Sequence, residues 1–268
     1  MINSASASCW GPLQFRINQV LKRLHFEEDE LKEIFFRGQT DAGGLLIPSL
    51  VRWANLNLPR KKKGNFKREL RVIESDLFFE FRARAKALGL NTDDDWEVLF
   101  AMQHFGLPTR LLDWTDKLGT ALFFALNNAK PEKQPCLWIL NPYGLNEKKS
   151  SYDSREIISP EYLEYTYSEY MIDGNDFDFG WETPIAIYPE QNNPRLQAQG
   201  GYFTIQGDDY RQIHQIEPSV LGQVLIEQDW IPELKLMLEQ MGINESSLFP
   251  GLEGLAKHLR AKYEFASC

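Results

Sequence analysis

Apolar residues fall at helical intervals at Leu13, Ile17, Val20, Leu21 and Leu24, which predicts an amphipathic first helix over 12–24. The longest run of this period starts at Phe66, where Leu70, Ile73, Leu77, Phe78, Phe81, Ala85 and Leu88 recur until Gly89 stops the helix. A further helix is predicted over 95–105 and ends at Gly106, after which Pro108 forces Leu107 out of the helical region. Elsewhere the pattern shifts to short unbroken apolar runs. Ile34 to Gln39, TRLLDW at 109–114, Cys136 to Leu140, Pro184 to Pro189, Tyr202 to Ile205 and Val220 to Glu227 read as strands. A helix to about Asn128 follows TRLLDW, with Asp113 or Thr115 as its cap and alanines 121 and 125 permitting close packing.

The remaining stretches complete the outline. Ser49 to Trp53 begins a short helix, and Trp230 to Gln240 makes another that Gly242 stops. The last short helix follows Leu248-Phe249-Pro250, with Leu252, Leu255 and Leu259 expected to face inward. Residues 141–182 read as a long irregular loop, rich in Tyr, Ser, Asp and Glu, of the length that forms lids or specificity loops. Its Asp173, Asp176 and Asp178 fit no calcium-loop spacing and are taken as an exposed acidic surface. Before Tyr202, Arg195 to Gln199 form a polar helical or turn segment, and the adjacent Gly200 and Gly201 suggest a special turn or a close backbone approach. Helices and strands intermix without repeats or low-complexity linkers. One α+β domain over 1–268 is therefore expected, with a core over about 31–230 and helical additions at 12–24 and 230–264.

Charge narrows the function. A net charge of −9 argues against generic binding to duplex nucleic acid. Within it, PRKKKGNFKRELR packs seven basic residues around one glutamate, a run that more often makes a solvated loop and helix start than a phosphate site. The three cysteines (Cys9, Cys136, Cys268) lack metal-ligand spacing and read as reduced thiols of a cytoplasmic protein. No basic segment leading into an apolar run opens the chain and no stretch approaches about 18 apolar residues, so neither secretion nor a membrane partner is expected.

Candidate chemistry concentrates in two places. A buried strand ending in Arg37-Gly38-Gln39 sets a fixed fork of donors at a strand end, suited to a phosphate or carboxylate, or else clamps a carboxylate such as Asp113. In QHFGLPTRLLDWT, polar Gln103, His104, Thr109, Arg110, Asp113 and Thr115 interleave with strongly apolar sequence. Arg110 and Asp113 there must be paired or meet a ligand, because an isolated buried ion costs several kcal/mol. His104 is the acid/base candidate, or else it caps helix carbonyls. The four histidines are too scattered for a metal site, and neither a nucleophile elbow nor a phosphate loop occurs.

FFRGQ near residue 35, PSLVR near 48, QHFGLPTRLLDWT followed by ALFFAL, RLQAQGGYFTI near 195 and SLFPGLEGLAKHL at the end, in this order, resemble the FRG domain, a family named for its Phe-Arg-Gly motif and widespread in bacteria and their phages. FRG domains in turn look distantly like ADP-ribosyltransferases. That resemblance implies small split antiparallel or mixed sheets flanked by helices, with NAD as substrate. It puts Arg37 at the end of the first strand, the region of His104 to Asp113 at a second motif that supports the nicotinamide pocket, and the later catalytic position at or near Gln199. Together with the reading of the residues above, the catalytic candidates are Arg37, His104 and Gln199, and the ligand-binding candidates Arg37, Gly38, Gln39, Thr109, Arg110, Asp113 and Arg195. Gln199 departs from the acidic residue of an active transferase, since an amide has no charge to stabilise a developing cation. Two readings follow: a toxin or antiphage effector that cleaves NAD or transfers from it to a protein or nucleic acid, and a non-catalytic sensor binding a nucleotide or macromolecule in the same pocket. The first expects Arg37, Arg110 and a carboxylate or Gln199 to face one cleft; the second expects both arginines to be neutralised.

Overall fold

A computed structural model describes residues 8–26, 32–58, 66–147, 156–163, 166–172, 182–189 and 193–263. The acidic cluster Asp173, Asp176 and Asp178 and residues 59–65 of the basic run 59–71 lie outside the described residues.

In chain order, helix α1 (Trp10–Arg23) precedes strand β1 (Phe35–Gln39). Helices α2 (Ser49–Asn57), α3 (Phe66–Ala85) and α4 (Asp95–His104) lead to β2 (Leu111–Thr115), α5 (Leu118–Leu126) and β3 (Cys136–Leu140). Short helices α6 (Pro142–Glu147) and α7 (Glu169–Ile172) precede β4 (Ile185–Ile187), α8 (Pro194–Gln199), β5 (Gly201–Ile205), α9 (Ile213–Ile216) and β6 (Leu221–Leu225). The helices α10 (Ile231–Gln240), α11 (Glu245–Leu248) and α12 (Leu252–Lys262) follow.

The strands form one six-stranded sheet in the order β4-β5-β2-β1-β3-β6, with every neighbouring pair antiparallel. Period-two alternation gives each strand two apolar faces. One face of the curled sheet surrounds a cluster drawn from all six strands, including Phe35, Trp114, Trp138, Ala186, Tyr202 and Leu221. The opposite face carries two separate helical layers. Helices α1, α5 and α10 cover β1, β3 and β6 around Phe36, Ile139 and Val224, whereas α3 and α4 cover β2, β4 and β5 around Leu111, Ile187 and Ile205. The two small split sheets implied by resemblance are thus one sheet, and its two halves touch thinly. Between β1 and β2 the only paired positions are Phe36 and Thr115, while β1 and β3 pair over five.

Several elements depart from expectation for identifiable reasons. The stretch after Asn141 is not irregular throughout: Asn146 is buried and brackets Ala186, accepting from its N–H (2.8 Å) and donating to its carbonyl (2.9 Å), which seats α6 against β4. Farther on, Leu163, Tyr167 and Tyr170 join the core beside α3 and α4, so aromatic burial holds part of the expected loop. The cap of α5 is Lys117, whose N–H donates to Thr115 Oγ1 at 3.0 Å; Asp113 takes no part. The inward face assigned to the last helix is exposed. Leu252, Leu255 and Leu259 are 85%, 43% and 41% exposed, and α12 instead packs through Gly254, where a Cβ would lie 2.0 Å from the Phe249 carbonyl oxygen. Among the described residues no helix is long and apolar enough to cross a membrane.

Candidate functional site

Where β1 and β2 part beyond Phe36, a cleft of about 630 Å³ opens. Its floor is Phe36, Gly38, Ala121 and Phe124; its walls carry Arg37, Gln39 and Asp41 from β1 and the loop after it, Arg52 from α2, Gln103 and Asp113, and Arg195 and Gln199 from α8. Gly38 is set by packing: a Cβ there would lie 1.9 Å from the Ala121 carbonyl oxygen and 2.5 Å from the Ala125 nitrogen, so only glycine lets α5 lie directly on β1. The alanines of ALFFAL serve the same approach.

Arg37 spans the parting of the strands. Its Nη1 donates to the Asp113 carbonyl at 2.7 Å and lies 3.5 Å from the Asp113 carboxylate, and its Nε has no hydrogen-bond partner among the described residues. Burial pulls the Arg37 guanidinium below the usual arginine pKa; Asp113 opposes this and neighbouring Arg52 adds to it. The group stays a cation at neutral pH. Behind Asp113 runs a chain of hydrogen bonds: Thr109 Oγ1 donates to Gln103 Oε1 (2.5 Å), and Gln103 Nε2 donates to Asp113 Oδ1 (2.9 Å). The Asp113 side chain is 57% exposed, so it faces solvent and the cleft. Asp41 is held below the usual carboxylate range by hydrogen bonds from Lys133, at 2.8 Å, and from the Gly43 N–H.

Of the residues named from sequence, Arg37, Gly38, Gln39, Asp113, Arg195 and Gln199 line this cleft together. Gln39 is oriented by Trp138, whose indole N–H donates to its Oε1. Arg195 lies over the Phe249 ring at 4.8 Å. The Gln199 amide donates to the Leu248 carbonyl at 3.0 Å, and the Gln199 carbonyl accepts from Thr115 Oγ1 at 2.5 Å. The α11–α12 segment thereby holds Arg195 and Gln199 of α8 in place.

Three expected residues lie elsewhere. Arg110 is 1% exposed and forms a buried ion pair with Glu74; its Nε bonds Glu74 Oε1 at 2.5 Å, its Nη2 bonds Oε2, and its Nη1 donates to the Gln206 carbonyl at 2.9 Å. The buried Tyr167 hydroxyl donates to the same carboxylate. Burial alone would lower the Arg110 pKa, but the charge of Glu74 reverses this and raises it. Arg110 is therefore a core cation whose partner is Glu74, not Asp113, and it does not reach the cleft. Thr109, 1% exposed, acts only through Gln103. His104 sits in a second lobe of about 430 Å³, which shares Gln103, Asp113, Arg195 and Gln199 with the first. Burial, and then the charge of Arg195, hold its imidazole below the ordinary histidine pKa.

The sequence reading missed Arg52 and Glu74. Arg52 closes the PSLVR motif and lines the cleft, and Glu74 occupies the apolar register of α3, four residues after Leu70 and four before Phe78, all three buried. Among the described residues no group of three His, Cys, Asp or Glu side chains is placed to hold a metal ion.

Comparison of the chain with curated proteins and with solved structures found no match. Against protein families, residues 32–134 match the FRG domain. The matched stretch runs from β1 through α5 and supplies the parting of β1 and β2, Arg37, Arg52 and the Gln103–Asp113 bond, with α8 closing the cleft from outside it. The chain carries an FRG domain, at residues 32–134.

Proposed function

We propose that the cleft binds a dinucleotide of the NAD class and that the chain acts on it as an ADP-ribosyltransferase-like enzyme, releasing nicotinamide by hydrolysis or by transfer to a protein or nucleic acid. One observation carries this reading: Arg37, Arg52 and Arg195 converge on a single cleft of about 630 Å³. That volume lies within the range of ligand pockets, roughly 300–1,000 Å³, and guanidinium forks match phosphate oxygens. Asp113, fixed by Gln103 beside Arg37, is the carboxylate positioned to face positive charge developing on a ribose. A toxin or antiphage role is supported by the family resemblance alone.

Two observations favour the sensor reading: Arg110 is neutralised by Glu74 outside the cleft, and Arg37 donates to the Asp113 carbonyl beside the Asp113 carboxylate, the pairing that reading expects. Gln199 is also neutral and its amide is tied to Leu248, so the position where an active transferase carries an acid supplies no charge here. Mass spectrometry of NAD incubated with the protein, wild type beside Arg37→Ala and with cell extract present as a source of acceptor, separates the two. Nicotinamide released by the wild type and not by a folded Arg37→Ala supports the enzyme. NAD left intact by both proteins, with the extract present, overturns the enzyme and supports the sensor.

A further inference from the structure

We infer that the second lobe is a subsite for an uncharged heteroaromatic ring bearing a hydrogen-bond acceptor, continuous with the arginine-lined cleft, so that the two lobes together take a phosphate and a base of one ligand. This deepens the reading above and rests on it.

The two lobes differ in chemistry. The first holds three guanidinium groups; the second is walled by Phe100, Phe105, Leu196 and Phe203, and Arg195, shared with the first lobe, is the only Lys or Arg lining it among the described residues. Phe100 and Phe203 stack at 5.3 Å with 13° between their planes, and Phe105 stands edge-on to the His104 ring at 4.9 Å while 70% exposed. A second phosphate has little to pair with here. A planar ring meets aromatic and aliphatic walls that reward its burial.

Among the polar side chains of the lobe, which also include Asn91, Glu97 and Asp113, the pair of Asn193 and His104 has a defined hydrogen-bonding sense. Asn193 Oδ1 accepts from the Arg195 N–H at 2.8 Å, which fixes its amide so that Nδ2 faces His104 Nδ1 at 3.3 Å. An amide nitrogen can only donate. Nδ1 of a neutral His104 is then the acceptor, and its proton sits on Nε2. The imidazole is left with a donor, which suits a ring nitrogen of an uncharged base. Gln103, Asp113, Arg195 and Gln199 line both lobes, so the two lie on either side of the same four side chains.

The test is calorimetric titration of the full chain with NAD and, separately, with inorganic pyrophosphate, for the wild type, Arg52→Ala, Phe105→Ala and His104→Ala. Phe105 is a surface side chain and its removal leaves the core intact. The expected result is that Phe105→Ala and His104→Ala each weaken NAD at least tenfold and leave pyrophosphate unchanged, whereas Arg52→Ala weakens both. Pyrophosphate binding that depends on Arg52, with NAD no tighter and indifferent to Phe105 and His104, overturns the ring subsite and leaves the arginine cleft standing. Binding of neither probe to the wild type overturns both.

Discussion

Arg37 donates from Nη1 to the backbone carbonyl of Asp113 at 2.7 Å, across the line where β1 and β2 separate. The two strands share one paired position, Phe36 with Thr115, and beyond it a side chain supplies the bond that a strand amide would otherwise make. The arginine of the Phe-Arg-Gly sequence therefore does two things: it closes the sheet at its weakest join and holds a cation at the mouth of the cleft.

These two roles respond differently to substitution. Arg37→Ala removes an exposed hydrogen bond to the Asp113 carbonyl and should cost about 0.5–1.5 kcal/mol, measured by urea denaturation, together with loss of ligand binding. Arg37→Lys keeps the charge but not the fork. It should recover most of the stability and little of the affinity. Equal recovery of both would mean that charge alone matters at this position.

The ion pair of Glu74 and Arg110 governs stability rather than binding. Glu74→Gln leaves Arg110 as a buried cation without its counter-charge, which should destabilise the fold by about 3–5 kcal/mol. Asp113→Asn, at a side chain 57% exposed, should change stability by about 0.5 kcal/mol or less. Paired urea melts of the two variants check the assignment, and a reversed order would return the role of core counter-ion to Asp113.

Local pattern made the central unit legible, and distance in sequence hid its partner. Helix α4, the break at Gly106 and Pro108, β2 and α5 follow from spacing and breakers within a few residues of one another. Arg110 was visible as a charge in an apolar strand, yet its counter-ion lies 36 residues earlier. The signal for it was a glutamate in the same register as Leu70 and Phe78 on α3, where a continuous apolar face was read instead. The leucines of α12 show the converse. Their period establishes that they share a side of the helix, but not that this side meets the rest of the chain, and Gly254 brings the opposite side against Phe249. Residues of the cleft were legible as motifs, whereas their convergence depends on how far β1 and β2 part.

Gly38→Ala tests whether that glycine is there for packing. Its Cβ would overlap the α5 backbone at Ala121 and Ala125, atoms that cannot swing aside as a flexible side chain does. A loss at or above the upper end of about 1–3 kcal/mol for overpacking is expected, visible as a lowered thermal midpoint even without ligand. Unchanged stability with weakened ligand binding would instead place Gly38 in direct contact with ligand.

His104 gives the site a pH dependence of defined sign. Its pKa in the folded protein lies below the ordinary value, first because the ring is partly buried and then because Arg195 is near. Above about pH 6.5 the imidazole is neutral in both the folded and the unfolded chain, so it adds no pH dependence there. As the pH falls below about 6.5 the unfolded chain binds the proton first, and this group then lowers stability progressively until the folded pKa is reached. An NMR titration of the His104 ring should show a midpoint below that of an exposed histidine. Arg195→Gln should move it part of the way back, because the contribution of burial remains. The protonated ring carries donors on both nitrogens and no longer accepts from the Asn193 amide, so Asn193 must turn or withdraw. NAD affinity should therefore fall over the same pH interval in the wild type, and the drop should disappear in His104→Ala. A drop that persists in His104→Ala would assign the pH dependence to another group.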